Sequence, residues 1–233
     1  MKLVQNQLIL LFSIIFIGQS MAQVDKATKK RKVHQVTDLQ FGIRAGFNNT
    51  TPSGVDIETT SSFTGFHAGA FTRIPIQKNN LILEVGALYS QKGYDKAYLF
   101  GDDAAFTFQA DTVGASAPGK LTANYIDIPV ILKDNQSKKF SPFAGIEFNI
   151  LLDSEYQYSY INPKNENELI VDTQTNLSDL KNFNMAALLG LEYHINHLFN
   201  LNLVYSYGLS TIDKGNNVKL KINTIRFSGS FSF

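Results

Sequence analysis

The chain has 233 residues, of which 18% are charged and 12% aromatic; its formal net charge is +1 and it contains no Cys and no Trp. This length allows one domain of about 200 residues plus a leader. The near-neutral charge excludes a broad basic surface for nucleic acid. The absence of Cys excludes a disulfide scaffold, a cysteine-ligated zinc site, a cysteine nucleophile and a lipid-modified N-terminal Cys.

Residues 1–22 have the features of a secretory signal peptide. Lys2 precedes an apolar run from Leu8 to Ile17, and the small residues Ser20 and Ala22 occupy positions −3 and −1 of a cleavage site after Ala22. The apolar run is about half as long as a membrane-spanning helix requires, which disfavours a helical anchor. We therefore predict export of the mature chain.

A short basic segment follows the predicted cleavage site. Its charged and titratable residues include Lys26, Lys29, Lys30, Arg31, Lys32 and His34. Short runs of like charge are usually solvated, and contact with anionic lipid or a partner is the alternative. We predict that residues 23–38 form a flexible basic periplasmic lead-in to a domain spanning 39–233.

From Leu39 onward, apolar and polar residues alternate with the period of two that is typical of half-buried strands. The last strand shows this best, because Ile225, Phe227 and Phe231 alternate with polar residues. Pro129 has no N–H for a ladder hydrogen bond and predicts a local irregularity in the fourth strand. Eight segments of about ten residues share the alternation, and they are 39–48, 64–75, 80–90, 121–133, 139–152, 182–195, 199–208 and 224–233.

The links between these segments alternate in length. The short links are 76–79, 134–138 and 195–198, and the long ones are 49–63, 91–120, 153–181 and 209–223. An even number of antiparallel strands with this alternation is typical of outer-membrane barrels, which have tight periplasmic turns and longer external loops. In the third long link, Tyr156, Tyr158 and Tyr160 alternate with polar residues, so we expect this hairpin to continue as strand beyond the membrane.

The charged strand residues indicate which face points inward. If the apolar faces point outward, the lumen receives Arg44, Arg73, Arg226, Glu84, Asp127, Glu147, Glu192, His67 and His194. Three basic and four acidic groups can pair in a narrow interior, whereas a basic group facing lipid at the midplane costs about 2–4 kcal/mol. We predict an all-β, eight-stranded antiparallel up-and-down transmembrane β-barrel with short periplasmic turns and long extracellular loops. A soluble lipocalin-like barrel, with its apolar faces inward, is the alternative.

The turns also predict which residues lie opposite each other. Turns at 76–79 and near 197 place three polar pairs across neighbouring strands, where opposite charges attract. The predicted pairs are Arg73 with Glu84, Glu192 with Asn202, and His194 with Asn200. Because side chains can fill an eight-stranded interior, we expect an ion-paired polar network and no open pore.

Outward aromatic residues fall near both ends of the predicted strands, as interface belts do. Tyr193, Phe199, Phe231 and Phe233 lie toward the short links, and Phe47, Phe66, Tyr89 and Tyr207 lie toward the long links. The last strand must close on the first. We therefore predict that Phe231 and Phe233 act as an assembly signal.

Seven pieces of the mature chain carry a resemblance to a known family. They are Gly42–Phe47 (GIRAGF), Thr64–Pro75 (TGFHAGAFTRIP), Leu83–Gly93 (LEVGALYSQKG), Asn124–Leu132 (NYIDIPVIL), Phe143–Glu147 (FAGIE), Leu189–Tyr193 (LGLEY) and Tyr205–Leu209 (YSYGL). Together they resemble the PorT-like outer-membrane β-barrel proteins. The resemblance covers essentially the whole mature chain and implies a bacterial outer-membrane location, contact with outer-membrane lipid, and insertion by the barrel-assembly machinery that reads the Phe-ended strand. For the name-giving members it also implies a role in protein export or surface assembly, but the family offers no catalytic motif.

The sequence contains little that points to catalysis or to a cofactor. The four histidines, His34, His67, His194 and His197, are the residues suited to proton transfer near neutral pH. No zinc-binding His pair and no nucleophile-elbow pattern occurs. The candidate rim nucleophiles Ser90, Ser206 and Ser210 lie away from the lumen histidines, and the loop acids Asp102, Asp103 and Asp111 are typical of solvated charge. We expect no enzyme activity, no cofactor and no metal.

The sequence therefore favours a structural or accessory scaffold protein in cell-envelope assembly or protein export, with an envelope protein as its partner. A narrow small-solute channel is the first alternative, and it predicts conductance that Arg73→Ala or Glu84→Ala increases. A soluble carrier predicts release without detergent. An enzyme predicts loss of activity when His67 and His194 are changed.

Overall fold

The eight predicted segments in which apolar and polar residues alternate all form strands. The computed structural model describes residues 38–54, 61–76, 80–97, 119–134, 136, 139–162, 165–177, 180–214 and 220–233, all within the unit His34–Phe233. The predicted signal peptide, the basic lead-in apart from Asp38, and the loop acids Asp102, Asp103 and Asp111 lie outside the described residues. No helix in the described ranges is long and apolar enough to cross a membrane.

The described residues contain nine strands, which all pair in antiparallel fashion. They are β1 (Gln40–Ser53), β2 (Ser61–Ile76), β3 (Leu81–Ala97), β4 (Gly119–Asp134), β5 (Phe140–Asn162), β6 (Asn165–Thr175), β7 (Phe183–His194), β8 (Phe199–Gly208) and β9 (Lys221–Ser232). Eight of them close a ring in the order β1-β2-β3-β4-β5-β7-β8-β9, in which β9 pairs with β1. The predicted eight-stranded antiparallel barrel is confirmed.

The predicted pairing of neighbouring strands is also confirmed. Arg73 lies opposite Glu84, and the β7–β8 hairpin aligns Glu192 with Asn202 and His194 with Asn200. Close to Pro129, the β3–β4 ladder stops at the Val85–Val130 pair and resumes at Leu88–Asp127. This gap is the irregularity that a proline without an N–H predicts.

The strands are longer than the ten residues expected, because several of them continue beyond the ring. Here the end with the links 77–80, 135–139 and 195–198 is termed the short-turn end, and the opposite end is termed the long-loop end. At the long-loop end, β3, β4, β5 and β6 form a four-stranded outer sheet, in which β4 pairs with β5 as far as Lys120–Gln157 and β6 pairs with β5 from Glu155 to Asn162. Strands β6 and β7 pair with different parts of β5. Strand β7 pairs with β5 from Phe140 to Ile150, and β6 pairs with the part of β5 nearer the long-loop end.

The two faces of the barrel wall differ as the sequence predicts. Phe47 is 67% exposed and Phe227 is 55% exposed on the outer face, while Arg226 and Ser228, beside Phe227 in the chain, are buried. The lipocalin-like alternative required the apolar faces to point inward, and it is therefore wrong. The predicted aromatic belts lie outside as well, with Phe66, Tyr193, Phe199, Tyr207 and Phe233 exposed.

A bulge in β5 changes which residues face inward. Leu151 pairs with Tyr125 and Asp153 pairs with Asn124, so Leu152 has no opposite residue on β4. Such a bulge reverses the alternation of the faces. As a result, Tyr156 is buried on the inner face of the outer sheet.

Candidate functional site: the barrel interior

The first part of the interior is a cluster of charged side chains near the short-turn end. The Glu84 carboxylate lies 2.8 Å from Arg44 Nη2, 3.0 Å from Arg73 Nε and 2.7 Å from Lys133 Nζ. The Glu192 carboxylate lies 2.7 Å from both Arg73 Nη2 and Lys133 Nζ. All five side chains are at most 4% exposed. This short-turn cluster contains three cations and two carboxylates, so its formal charge is +1.

Phe71 fills the space between the two arginines of this cluster. Its ring centre lies 4.7 Å from Arg44 Cζ and 4.9 Å from Arg73 Cζ, within the range of cation–π contacts. Phe71 pairs with Gly42 on the neighbouring strand. A Cβ atom on Gly42 would lie 2.3 Å from the Phe71 ring, so only glycine lets the ring lie against the β1 backbone.

A second cluster occupies the centre of the barrel. The Lys92 ammonium lies 2.9 Å from Asp127 Oδ1 and 3.4 Å from Glu147 Oε1, and the Arg226 guanidinium binds the Glu147 carboxylate through Nη2. The amide of Asn149 donates to both carboxylates, at 2.9 Å and 2.8 Å. This central cluster contains two cations and two carboxylates, so its formal charge is zero.

His67 lies in a neutral hydrogen-bonded group in the lumen, separate from the ion-pair contacts. Its Nδ1 atom is 2.7 Å from Asn48 Oδ1, and Asn48 Nδ2 donates to Ser90 Oγ at 2.9 Å. His67 and Ser90 are both at most 1% exposed. Because these polar groups bond to each other within the wall, their geometry fits a structural role.

His194 lies at the short-turn end of the lumen. Its Nε2 atom is 2.9 Å from Ser141 Oγ, and its Nδ1 atom is 2.7 Å from Asn200 Oδ1. The order of these bonds is that of a nucleophile, a base and an orienting amide. A nucleophile must also reach its substrate, whereas Ser141 is 3% exposed and lies within the regular β5–β7 ladder. We therefore interpret this chain of hydrogen bonds as part of the barrel wall.

An apolar cap closes the long-loop end of the lumen. Its buried members come from the inner face of the outer sheet, from β9 and from the segments that follow β6 and β8, and they are Tyr94, Leu121, Tyr156, Leu180, Ile212, Leu220 and Ile222. Leu180 bridges to Asp213, and the N–H of Lys181 donates to the carbonyl of Ile212 at 2.7 Å. The connecting segments are therefore bonded to each other where they cover the lumen.

A mutation in this cap gives a local prediction. Leu180→Ala should lower the stability of the cap by about 2–5 kcal/mol, because Leu180 is 1% exposed among apolar neighbours. Limited proteolysis should then cleave the segments near Lys181 and Lys214 faster, while the heat-modifiable mobility of the barrel stays unchanged. Leu209→Ala, at a residue that is 46% exposed, is the matched control. Equal cleavage of both variants and the wild type would contradict a packed cap.

A small cavity with a mixed polar and apolar lining lies between the central cluster and the cap. Its volume is about 20 Å³, and its lining includes Lys92, Tyr125, Asn184, Ser206 and Thr224. This volume accommodates about one water molecule. The lumen is thus filled in layers by the short-turn cluster, the central cluster, the cavity and the cap.

The structure brings most of the residues singled out from the sequence into the interior. Arg44, Arg73, Glu84 and Glu192 meet in the short-turn cluster; Asp127, Glu147 and Arg226 meet in the central cluster; His67 and His194 join separate hydrogen-bonded groups. The expected balance of three bases against four acids is wrong for the described interior, because Lys92 and Lys133 also take part. Both lysines lie at positions where the alternation of their strands places lumen-facing residues. This alternation could have identified them from the sequence. They were missed because they lie at or beyond the predicted strand ends.

The terminal aromatics lie at the seam where the barrel closes. Phe233 N–H donates to the Phe41 carbonyl at 2.8 Å, and Phe41 N–H donates to Phe233 O at 3.1 Å. The ring of Phe231 lies 4.9 Å from that of Phe199 and 6.1 Å from that of Phe233. In the described part of the chain, no group of three or more His, Asp or Glu side chains could hold a metal ion.

An antiparallel barrel with an apolar outer face and a charged, filled interior defines the class of outer-membrane β-barrels. The family model described as outer membrane protein β-barrel domain matches residues 21–214. The chain belongs to this family. In such barrels the short-turn end faces the periplasm and the long-loop end faces the outside of the cell.

Solved structures of other outer-membrane barrels are similar in fold and distant in sequence. Ail of Yersinia pestis is 12% identical, with 84% of this chain and 99% of that chain covered and a TM-score of 0.47. Neisserial surface protein A is 15% identical, with 82% and 95% covered and a TM-score of 0.43. Outer membrane protein W of E. coli is 16% identical, with 86% and 100% covered and a TM-score of 0.44. No curated protein matches this chain, and at these identities no binding property transfers.

Proposed function

We propose that this chain is an accessory or scaffold protein of the cell envelope, whose filled barrel anchors the outer sheet for contact with another envelope protein. The observation that carries the proposal is the filled lumen: two ion-pair clusters and an apolar cap lie in series along the barrel. A barrel whose described interior is filled by packed side chains is suited to anchoring. Among the described residues, the outer sheet built from β3 to β6 extends beyond the ring at the long-loop end.

The route to the membrane is part of the same proposal. The chain is exported by the signal peptide 1–22, cleaved after Ala22, and inserted by the barrel-assembly machinery, which reads the strand ending in Phe231 and Phe233. The PorT-like pieces support this route and a role in protein export or surface assembly. The basic lead-in 23–38 then lies in the periplasm.

Crosslinking from outside intact cells tests the proposal, and the lack of native Cys makes it specific. Gln174→Cys places one thiol on exposed β6 in the outer sheet, and Lys139→Cys places one at an exposed residue of the short-turn end. A membrane-impermeant reagent that joins the introduced thiol to an amine of a neighbouring protein should give a reproducible larger product with Gln174→Cys alone. Mass spectrometry then identifies the partner.

The alternatives predict different results in this experiment. A product formed by Lys139→Cys and not by Gln174→Cys would show that the short-turn end faces the outside of the cell, which contradicts the proposed orientation. Inserted protein that forms no product with either thiol, and that conducts ions after purification, would replace the scaffold proposal with a small-solute channel.

A further inference from the structure

An apolar groove crosses the outer face of the barrel wall near the seam where β9 meets β1. Arg44, Asn200 and Ser230 border this groove, but their side chains are buried in the lumen. The lining residues whose side chains point outward are all apolar. The groove has a volume of about 420 Å³, and its lining includes Ile43, Ala45, Ala68, Leu201 and Gly229.

The floor of the groove consists of small residues on three neighbouring strands. Gly229 of β9 lies opposite Ala45 of β1, and Ala45 lies opposite Ala68 of β2. A Cβ atom on Gly229 would meet no heavy atom within 4 Å beyond its chain neighbours. The space over this glycine is therefore open.

Bulky side chains stand on both sides of the floor. On the long-loop side, Phe47 of β1 lies between Phe66 of β2 and Phe227 of β9. Phe47 is 67% exposed and Phe227 is 55% exposed, so their rings project from the wall. The convex wall of another barrel would rest on these rings, whereas a slender flexible chain can reach the floor. The row on the short-turn side consists of Ile43, Phe231 and Phe199.

The groove begins at the short-turn end and rises along the wall. Ile195, in the turn between β7 and β8, lines one end, and its N–H donates to the carbonyl of Phe199 at 3.1 Å. Ala68, in the middle of β2, lines the other end. From β8 to β2 the groove crosses three interstrand gaps of about 4.8 Å each, or about 14 Å in all. This length is similar to half of a hydrocarbon core about 30 Å thick.

We propose that this groove holds one acyl chain of a phospholipid from the periplasmic leaflet of the outer membrane. An acyl chain fits because the outward lining is apolar and is continuous with the exposed apolar wall. The periplasmic leaflet fits because the groove opens beside a short turn, and short turns lie at the periplasmic end of such barrels. The volume is within the range of about 300–1,000 Å³ that is typical of ligand sites. Dispersion contacts with the floor and walls keep this lipid on the barrel when the surrounding membrane is dissolved.

Native mass spectrometry of the full-length mature barrel, folded in detergent, tests this site. Dipalmitoyl phosphatidylethanolamine is added in increasing amounts, and the lipids bound to each barrel are counted. The wild type should saturate at one lipid. Gly229→Leu fills the floor, so it should lower the lipid-bound fraction at least tenfold at the concentration that half-saturates the wild type. Ala187→Leu adds the same side chain on β7, outside the groove, and should bind lipid as the wild type does.

Several outcomes of this titration would overturn the proposal. One is a wild-type barrel that binds no lipid, and another is a graded series of several lipids that is the same in all three proteins. Unchanged binding by Gly229→Leu would also overturn it. A barrel dimer that Gly229→Leu abolishes would assign the groove to a second copy of the chain instead. Displacement of the phospholipid by an equal concentration of lipid A would assign it to a lipid of the outer leaflet.

A fluorescence measurement covers the case in which Gly229→Leu does not fold. The chain has no Trp, so Ile43→Trp places one fluorophore in the groove and Leu189→Trp places one on β7 outside it. Both positions are exposed, Ile43 by 57% and Leu189 by 42%. One equivalent of a phospholipid with brominated chains should quench Ile43→Trp several-fold more than Leu189→Trp, and equal quenching would overturn the proposal. The scaffold proposal does not depend on either experiment, because it concerns the outer sheet.

Discussion

Glu84→Gln should lower the free energy of unfolding by about 3–5 kcal/mol, because breaking a buried ion pair leaves its partners uncompensated. Glu84 has no exposed surface and contacts Arg44, Arg73 and Lys133 within 3.0 Å. The substitution would leave Glu192 as the one carboxylate facing three cations. Urea unfolding followed by circular dichroism measures the loss.

Glu155→Gln is the matched control for this prediction. Glu155 is exposed on β5 in the outer sheet, and surface substitutions of this kind usually change stability by less than about 0.5 kcal/mol. If both variants unfold at the urea concentration of the wild type, the short-turn cluster does not stabilise the barrel.

Deletion of Phe233 should reduce membrane-inserted, heat-modifiable protein several-fold. The deletion removes both hydrogen bonds that join Phe233 to Phe41 and the ring that lies 6.1 Å from Phe231. Strand β9 must close on β1 at this seam, and the terminal aromatic is the predicted assembly signal. The measurement is the fraction of protein in the outer membrane that shifts in mobility on heating.

Phe233→Ala distinguishes two roles of this residue, which are closure of the seam by its backbone and recognition of its aromatic ring during assembly. It keeps the backbone hydrogen bonds of the seam and removes only the ring. If assembly falls as far as in the deletion, the aromatic end is what the assembly machinery reads; if it falls much less, closure of the seam dominates. Insertion of the deletion variant at the wild-type level would contradict both roles.

The strand pairing could be predicted from the sequence because two local signals agreed. The period-two alternation set the faces, and the short links set the register, which placed Arg73 opposite Glu84 and Glu192 opposite Asn202. A shift of one residue would have turned every apolar side chain inward, so the pattern specifies the register strongly.

The ends of the strands could not be predicted in the same way. Beyond the membrane the outer face is no longer apolar, so the alternation that marks a strand in lipid disappears. Lys92 was missed because it lies beyond the end of the predicted strand 80–90. The expected continuation of the third long-link hairpin as strand is confirmed, since β5 continues to Asn162 and pairs there with β6. The bulge at Leu152 also reverses the faces of β5, which hides the inward position of Tyr156.

The apolar cap depends on contacts that no local pattern encodes. Leu180 and Ile212 lie in polar stretches, and each is buried only because distant segments meet over the lumen. The charge excess of the short-turn cluster could not be predicted from the local sequence either. Lys133 lies at the end of β4, and its partners come from β3 and β7.

Ionic conductance of the wild-type barrel in a planar lipid bilayer tests the filled lumen most directly. Heat-modifiable mobility first establishes that the protein is folded. The filled interior predicts a current that does not rise above the lipid baseline, because the short-turn cluster, the central cluster and the cap lie in series. Stable unitary conductance steps from the wild-type protein would contradict a filled lumen and would favour the channel alternative.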